Sequence, residues 1–268
     1  LIIATGRTTK LIQYLVGAEK TYTARICLGV GSDTDDADGA LYAADAPDVD
    51  AARVDAALAD LTGEIMQVPA TVSAIKVDGL RAHDLARAGQ DVQLAARPIH
   101  IHRFERTSDL VSGFATVVGT PVPTVEFDVV VTASAGTYVR ALARDLGRAL
   151  GTQAHLTELR RTRIGPWDVA DAARVSDLRD IALRGDSLPA APMDEVCNAV
   201  FPVIAIDDAE EAALSNGIFI DAREPVSWGA RSEAWPAAAF NGDRPIALVS
   251  PRAGKLKPDL QLAPQPRG

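Results

Sequence analysis

The chain has only two cysteines, Cys27 and Cys197, among its 268 residues. They stand far apart and form no C-x-x-C, which excludes a cysteine-rich zinc site and a disulfide framework. What remains is two free thiols in a protein of the cytoplasm. Long apolar runs are missing too. No stretch of about 18 apolar residues exists, so no segment is expected to span a membrane. The opening residues LIIATGRTTK carry no basic segment ahead of their apolar stretch and do not read as a signal peptide. An excess of positive charge is also absent: 27 basic residues against 36 acidic ones leave a net charge of −9. That argues against non-specific nucleic-acid binding as the main task, because such binding depends on neutralising phosphates. His100, His102 and His155 lack metal-ligand spacing, and no internal repeat is found.

What is present is a hydrophobic content of 47%, enough for one large domain and a small one. Charge is unevenly spread. Aspartates dominate Val30 to Asp60, whereas Arg140 to Arg163 carries Arg140, Arg144, Arg148, Arg160, Arg161 and Arg163 against Asp145 and Glu158. A locally basic face on an acidic protein fits a specific RNA contact; a solvated helix face is the alternative. Asp33, Asp35, Asp36 and Asp38 lie between glycines and read as a turn, since their spacing does not match a calcium loop.

Lys20 to Gly29 alternates, with Tyr22, Ala24, Ile26 and Leu28 on one face, and predicts a half-buried strand. Asp50 is placed to cap a helix carrying Val54, Ala57, Leu58 and Leu61, with Gly63 as its stop. Leu80 to Arg87 reads as a short helix. Pro98 to Arg106 and Thr124 to Val131 read as strands, followed by a helix with Leu142, Leu146 and Leu150 that stops at Gly151. Arg184 to Pro192 looks like a connector. Beyond it, Asp207 to Gly217 brackets a short helix, and Ala237 to Phe240, Ile246 to Val249 and Leu260 to Leu262 read as short strands of a small barrel-like domain. Strands and helices mix without a βαβ rhythm. The expected class is α+β: a mixed, largely antiparallel sheet flanked by helices, then a small C-terminal β domain. The boundary is expected between 198 and 199.

Six blocks carry a resemblance. GRTTKLIQYL (Gly6 to Leu15), KTYTARICLG (Lys20 to Gly29), DTDDADG (Asp33 to Gly39), PATVSAIKVDGLRAHDLARAG (Pro69 to Gly89), SAGTYVRALARDLG (Ser134 to Gly147) and HLTELRRTRIG (His155 to Gly165) resemble, in order and spacing, the TruB family of tRNA pseudouridine synthases. NGIFID (Asn216 to Asp221) with Ala237 to Leu262 is similar to the PUA-type RNA-binding domain that ends many members. The resemblance implies a pseudouridine synthase-like catalytic domain over 1–198, a PUA-like domain over 199–268, and a cytoplasmic monomer. It implies an isomerase that converts uridine 55 in the TΨC arm of tRNA to pseudouridine, with no cofactor, metal or membrane. The target base must leave the stack to react.

The family's catalytic aspartate lies in a G-x-L-D-P-x-A-x-G motif that directly precedes the segment matched by LIIATGRTTK. The nucleophile is therefore expected upstream of Leu1, leaving this chain inactive alone and exposing apolar surface from Leu1, Ile2 and Ile3. A non-catalytic tRNA-binding or folding module is the second reading, and an unrelated α+β enzyme the third. By resemblance Arg140 pairs with that aspartate, where a planar fork keeps a carboxylate ionised and oriented. Tyr22 matches the active-site tyrosine; the alternative is a core aromatic. Tyr138 is expected beside Arg140. Leu159 is expected to line the pocket, or to be ordinary core. Lys10, Lys76, Arg160 and Arg161 fall in RNA-contacting blocks and are assigned to phosphates. His83 stands where members usually have tyrosine.

Overall fold

The computed structural model describes residues 1–70, 76–77, 80–81, 94–230 and 235–263. They form two compact units: Glu19–Ile164, and Leu1–Ala18 together with Gly165–Gly268. This division does not follow the boundary expected between 198 and 199. Its physical reason is apolar: Leu11 and Leu15 share one buried cluster with Cys197, Val200, Phe201, Phe240 and Leu248. The first residues thus belong with the last ones. Leu1 and Ile3 are exposed as expected, while Ile2 packs against that cluster.

Within Glu19–Ile164, β1 is Lys20–Leu28, β2 is Val30–Ser32 and β3 is Leu41–Ala43. Helix α1 is Ala51–Asp60, followed by β4 (Gly63–Gln67) and the two-residue strands β5 (Lys76–Val77) and β6 (Leu80–Arg81). Then come β7 (Arg97–Arg106), β8 (Val111–Val117), β9 (Thr120–Ala133), α2 (Val139–Ala149) and β10 (Ala154–Ile164). The strands run β10-β1-β9-β7-β4 across the sheet, with β8 also on β9, and every pairing is antiparallel.

The local reasons are those the sequence carries. Asp50 accepts the Arg53 amide at 2.8 Å and starts α1, which buries Val54, Ala57 and Leu58. Gly151, at φ 79°, follows α2 and ends it in a conformation that favours glycine. Tyr22, Ala24, Ile26 and Leu28 face Val131, Val129, Phe127 and Val125 across the β1–β9 ladder, so one face of the sheet becomes core. Leu142, Ala143 and Leu146 of α2 press onto it beside Ala154 and Leu156. Full burial of each such leucine contributes about 1.5–3 kcal/mol.

The structure departs from expectation at Leu80–Arg81 and adds elements that the sequence reading did not assign. Leu80–Arg81 is not the start of a helix but a strand paired with Lys76–Val77; 82–87 lie outside the described residues. The block HLTELRRTRI is a strand (β10), and Val111–Val117 a further one. The Asp-rich loop is closed at its base by a small hairpin, β2 on β3.

In the other unit five strands run in the order Val203–Ala205, Ala237–Asn241, Arg244–Arg252, Lys255–Gln261, Ile220–Asp221. The first pair is parallel and the rest antiparallel. Helix Asp208–Ser215 starts with a capping box in which Asp207 and Glu210 each satisfy the other's amide. No described helix is long and apolar enough to cross a membrane.

Candidate active site

The central ladder of the unit Glu19–Ile164 positions the first group of side chains. Tyr22 on β1 is opposite Arg161 on β10, and Ala24 is opposite Leu159. Residues directly opposite in an antiparallel pair share a face. Tyr22, Leu159 and Arg161 therefore lie on the face that becomes core one turn further along, and Tyr22 packs against that core. Leu159 is 40% exposed, so it offers an open apolar surface rather than a closed wall. A bulge between Arg25 and Ile26 shifts the register just past Leu159. Lys20 is on the same face as Tyr22. Burial, and then the nearby Arg161 cation, hold its ammonium below the usual lysine range.

Helix α2 brings the second group. Tyr138 is its N-cap residue by backbone geometry. The peptide of Tyr138 is gripped on both sides by the side chain of Gln67: its N–H donates to Oε1 at 2.9 Å, and its carbonyl accepts from Nε2 at 3.1 Å. Gln67 is 1% exposed, so this fixes the entry of α2 from inside the core. Two residues later, Nε of Arg140 is ion-paired with Oδ2 of Asp36. The Arg140 side chain is 42% exposed. The guanidinium thus meets Asp36 through one nitrogen, with part of the side chain in solvent.

Asp36 is built for that role by its turn. Its Oδ1 accepts the Thr34 hydroxyl at 2.6 Å and the Asp38 amide at 3.1 Å. Burial pushes its carboxyl up, but Thr34, Arg140 and Asp38 outweigh this and hold it below the usual carboxylate range. Its neighbour Asp35 has φ 60° and is 7% exposed. Oδ2 of Asp35 lies 3.1 Å from a terminal nitrogen of Arg144, one helical turn after Arg140. Two acids of one turn thus face two arginines of one helix. Burial pushes Asp35 up to about 6, against the Arg144 cation.

The acidic turn is therefore a turn, as its composition implies, but Asp35 and Asp36 also serve as arginine partners. Sequence reasoning passed over both, together with Arg144, Gln67 and Lys20. The signal available was the i, i+4 spacing of Arg140 and Arg144, which puts both on one helix face. Most of the basic cluster is neutralised locally: Arg148 faces Asp145 at 3.7 Å and Arg163 faces Glu19 at 2.8 Å. Arg160 and Arg161 are exposed and have no ion-pair partner among the described residues. They point to opposite faces, since Arg160 is opposite Thr23 and Arg161 opposite Tyr22. Lys10 is exposed near the end of the 3-10 turn Gly6–Leu11 and belongs to the other unit. Lys76 stands in β5 opposite Arg81, and His83 lies outside the described residues.

Residues 1–139 match the family model described as TruB family pseudouridylate synthase (N terminal domain). Residues 140–200 match that of the tRNA pseudouridylate synthase B C-terminal domain. A protein of Arthrobacter sp. (strain FB24) named tRNA pseudouridine synthase B is 41% identical over 268 residues, covering 98% of this chain and 83% of its own. Its namesake from Nocardia farcinica is 47% identical over 223 residues, covering 82% and 68%. That from Mycobacterium ulcerans is 43% identical over 265 residues, covering 98% and 81%. Among solved structures, a chain of a Cbf5-Nop10-Gar1 complex shares the fold at a TM-score of 0.61 and 22% identity, over 97% of this chain and 70% of that one. A chain of an H/ACA RNP bound to a substrate RNA containing 2'-deoxyuridine does so at 0.61 and 19%, over 98% and 71%.

Proposed function

Because the chain belongs to the TruB family of pseudouridylate synthases, we propose that it isomerises uridine to pseudouridine in tRNA, at position 55 of the TΨC arm. The observation that carries this reading is the Arg140 guanidinium, ion-paired with Asp36 at Nε and part exposed, on the unit that carries Tyr22. Such a fork suits a second carboxylate, which the family supplies from its G-x-L-D-P block. The reaction breaks the bond from C1' to N1, turns the base, forms the bond from C1' to C5, and gives up the proton of C5 while N1 gains one. Tyr22 supports it with a ring for stacking on the flipped base and a hydroxyl for proton transfer at C5. Leu159 offers apolar surface beside it, and Tyr138 fixes the start of the helix that carries Arg140. Nothing in this scheme requires a cofactor or metal.

Lys10, Lys76, Arg160 and Arg161 take phosphates of the RNA in this reading. Residues 199–268 act as a PUA-like RNA-binding domain of a cytoplasmic monomer. The test is to incubate unmodified tRNA with the chain, alone and preceded by the family's G-x-L-D-P-x-A-x-G block, and to map pseudouridine by carbodiimide-induced reverse-transcription stops. A stop at position 55 with the block present supports the reading. A stop elsewhere assigns another uridine. Stable tRNA binding with no stop in either form favours a binding or folding module.

A further inference from the structure

Arg140 is useful only if its guanidinium is aimed, yet it is nearly half in solvent and, among the described residues, its one ionic partner is Asp36. Asp36 lies in a turn, and the turn is tied down at the residue before it. The Asp35 carbonyl accepts the amide of Leu156 on β10 at 3.1 Å, and the Asp35 carboxylate meets Arg144 on α2. Arg144 is itself fixed by other groups: it donates to the Val68 carbonyl at 2.6 Å and faces Asp145 at 3.1 Å, with its side chain 12% exposed. The helix that carries Arg140 thus reaches back and grips the loop that aims it. We propose that the Asp35–Arg144 pair is a positioning device that locks the acidic turn onto α2 and so holds Asp36 against Arg140. This rests on the site reading given above for Arg140.

The energetics separate positioning from plain stabilisation. The groups facing the Asp35 carboxyl are the Arg144 and Arg148 cations and the Asp145 carboxylate from α2, and Asp36 from its own turn; β10 meets the main-chain carbonyl of Asp35 instead, through the Leu156 amide. Burial outweighs the cations and raises Asp35 to about 6. A carboxyl raised in the folded state adds stability below its unfolded value and loses it as pH rises through the folded one. At neutral pH the ionised Asp35 therefore works against folding. A buried ion pair is weak evidence for stability in any case; a role in fixing one arrangement is the alternative use.

Asp35→Asn tests this, because asparagine tolerates φ 60° and keeps the shape. In the chain as it stands, the carboxyl of Asp36 is followed by carbon NMR against pH. Removing the Asp35 charge alone would lower the Asp36 titration further; loss of its grip on Arg140 raises it toward the usual range. A rise, with a melting temperature at pH 7.5 equal to or above that of the parent, is expected. In the chain preceded by the family's block, single-turnover isomerisation should fall on the order of 10- to 100-fold at unchanged tRNA affinity. The rate limb near pH 6 in the parent should vanish. An Asp36 titration unmoved or lowered, or a melting temperature that falls along with the rate, overturns the proposal. A raised Asp36 titration in a protein whose parent form shows no isomerisation would instead overturn the reading of the site.

Discussion

At the residue scale, Arg140 and Tyr22 respond differently to conservative replacement. Arg140→Lys keeps the charge but loses the planar fork that can meet Asp36 through Nε and a second carboxylate through its other donors. Single-turnover rates should fall roughly 100-fold or more, the loss seen when one preorganised donor is removed, with little change in tRNA affinity. Tyr22→Phe keeps the ring and loses only the hydroxyl, so under the roles proposed for Tyr22 it should lower the isomerisation rate while leaving tRNA affinity unchanged. Tyr22→Ala should lose the stacking contribution as well, about 1–3 kcal/mol. Asp36 and Asp35 carry pH dependences of opposite sign. The Asp36 carboxyl is held low in the fold, so its stabilisation is present above the ordinary carboxylate range and lost as pH falls through its lowered value. Asp36→Asn should therefore melt below the parent at neutral pH, and the gap should close as pH drops below about 4. A gap that widens in acid would contradict the assigned partners.

At the scale of elements, α2 is seated by a contact that a side chain would destroy. A Cβ on Gly147 would come within 2.6 Å of the Ala154 amide nitrogen and 2.7 Å of the Gln153 carbonyl carbon. Gly147→Ala should improve intrinsic helix propensity by roughly 1 kcal/mol and still destabilise the protein, because the helix must lift off β10. Lifting it moves Arg140, so activity should fall with stability, which thermal melting and isomerisation rates can follow together. The elements themselves were largely legible. Alternation gave β1 and β9, and caps at Asp50 and Asp207 gave their helices. β10 escaped because its exposed half, Glu158 to Arg161, breaks the alternation with charge at consecutive positions. The Asp-rich turn was legible as a turn but not as an arginine clamp. Its partners stand more than a hundred residues away and declare themselves only by helical spacing.

For the whole molecule, the net charge of −9 means that any RNA must be drawn to a restricted surface. Most arginines of the basic stretch are paired with nearby carboxylates, which leaves Arg160 and Arg161 as the exposed cations of β10 without an ion pair among the described residues. Arg160→Glu and Arg161→Glu should each weaken tRNA binding and reduce the slope of log affinity against log salt by about one or more. Equal slopes in parent and variant would remove them from the RNA interface. The division into Glu19–Ile164 and its counterpart was not legible, because the cluster joining Leu11 and Leu15 to Phe201 and Phe240 links segments far apart in sequence. The most direct measurement of the central claim is tritium release from tRNA labelled at C5 of uridine. It should be made with the chain preceded by the family's G-x-L-D-P-x-A-x-G block, and with its Arg140→Lys variant. Release by the parent form and its near loss in the variant is the predicted result. Release undiminished in the variant would mean that Arg140 is not at the reacting centre, and the site described here would be wrong.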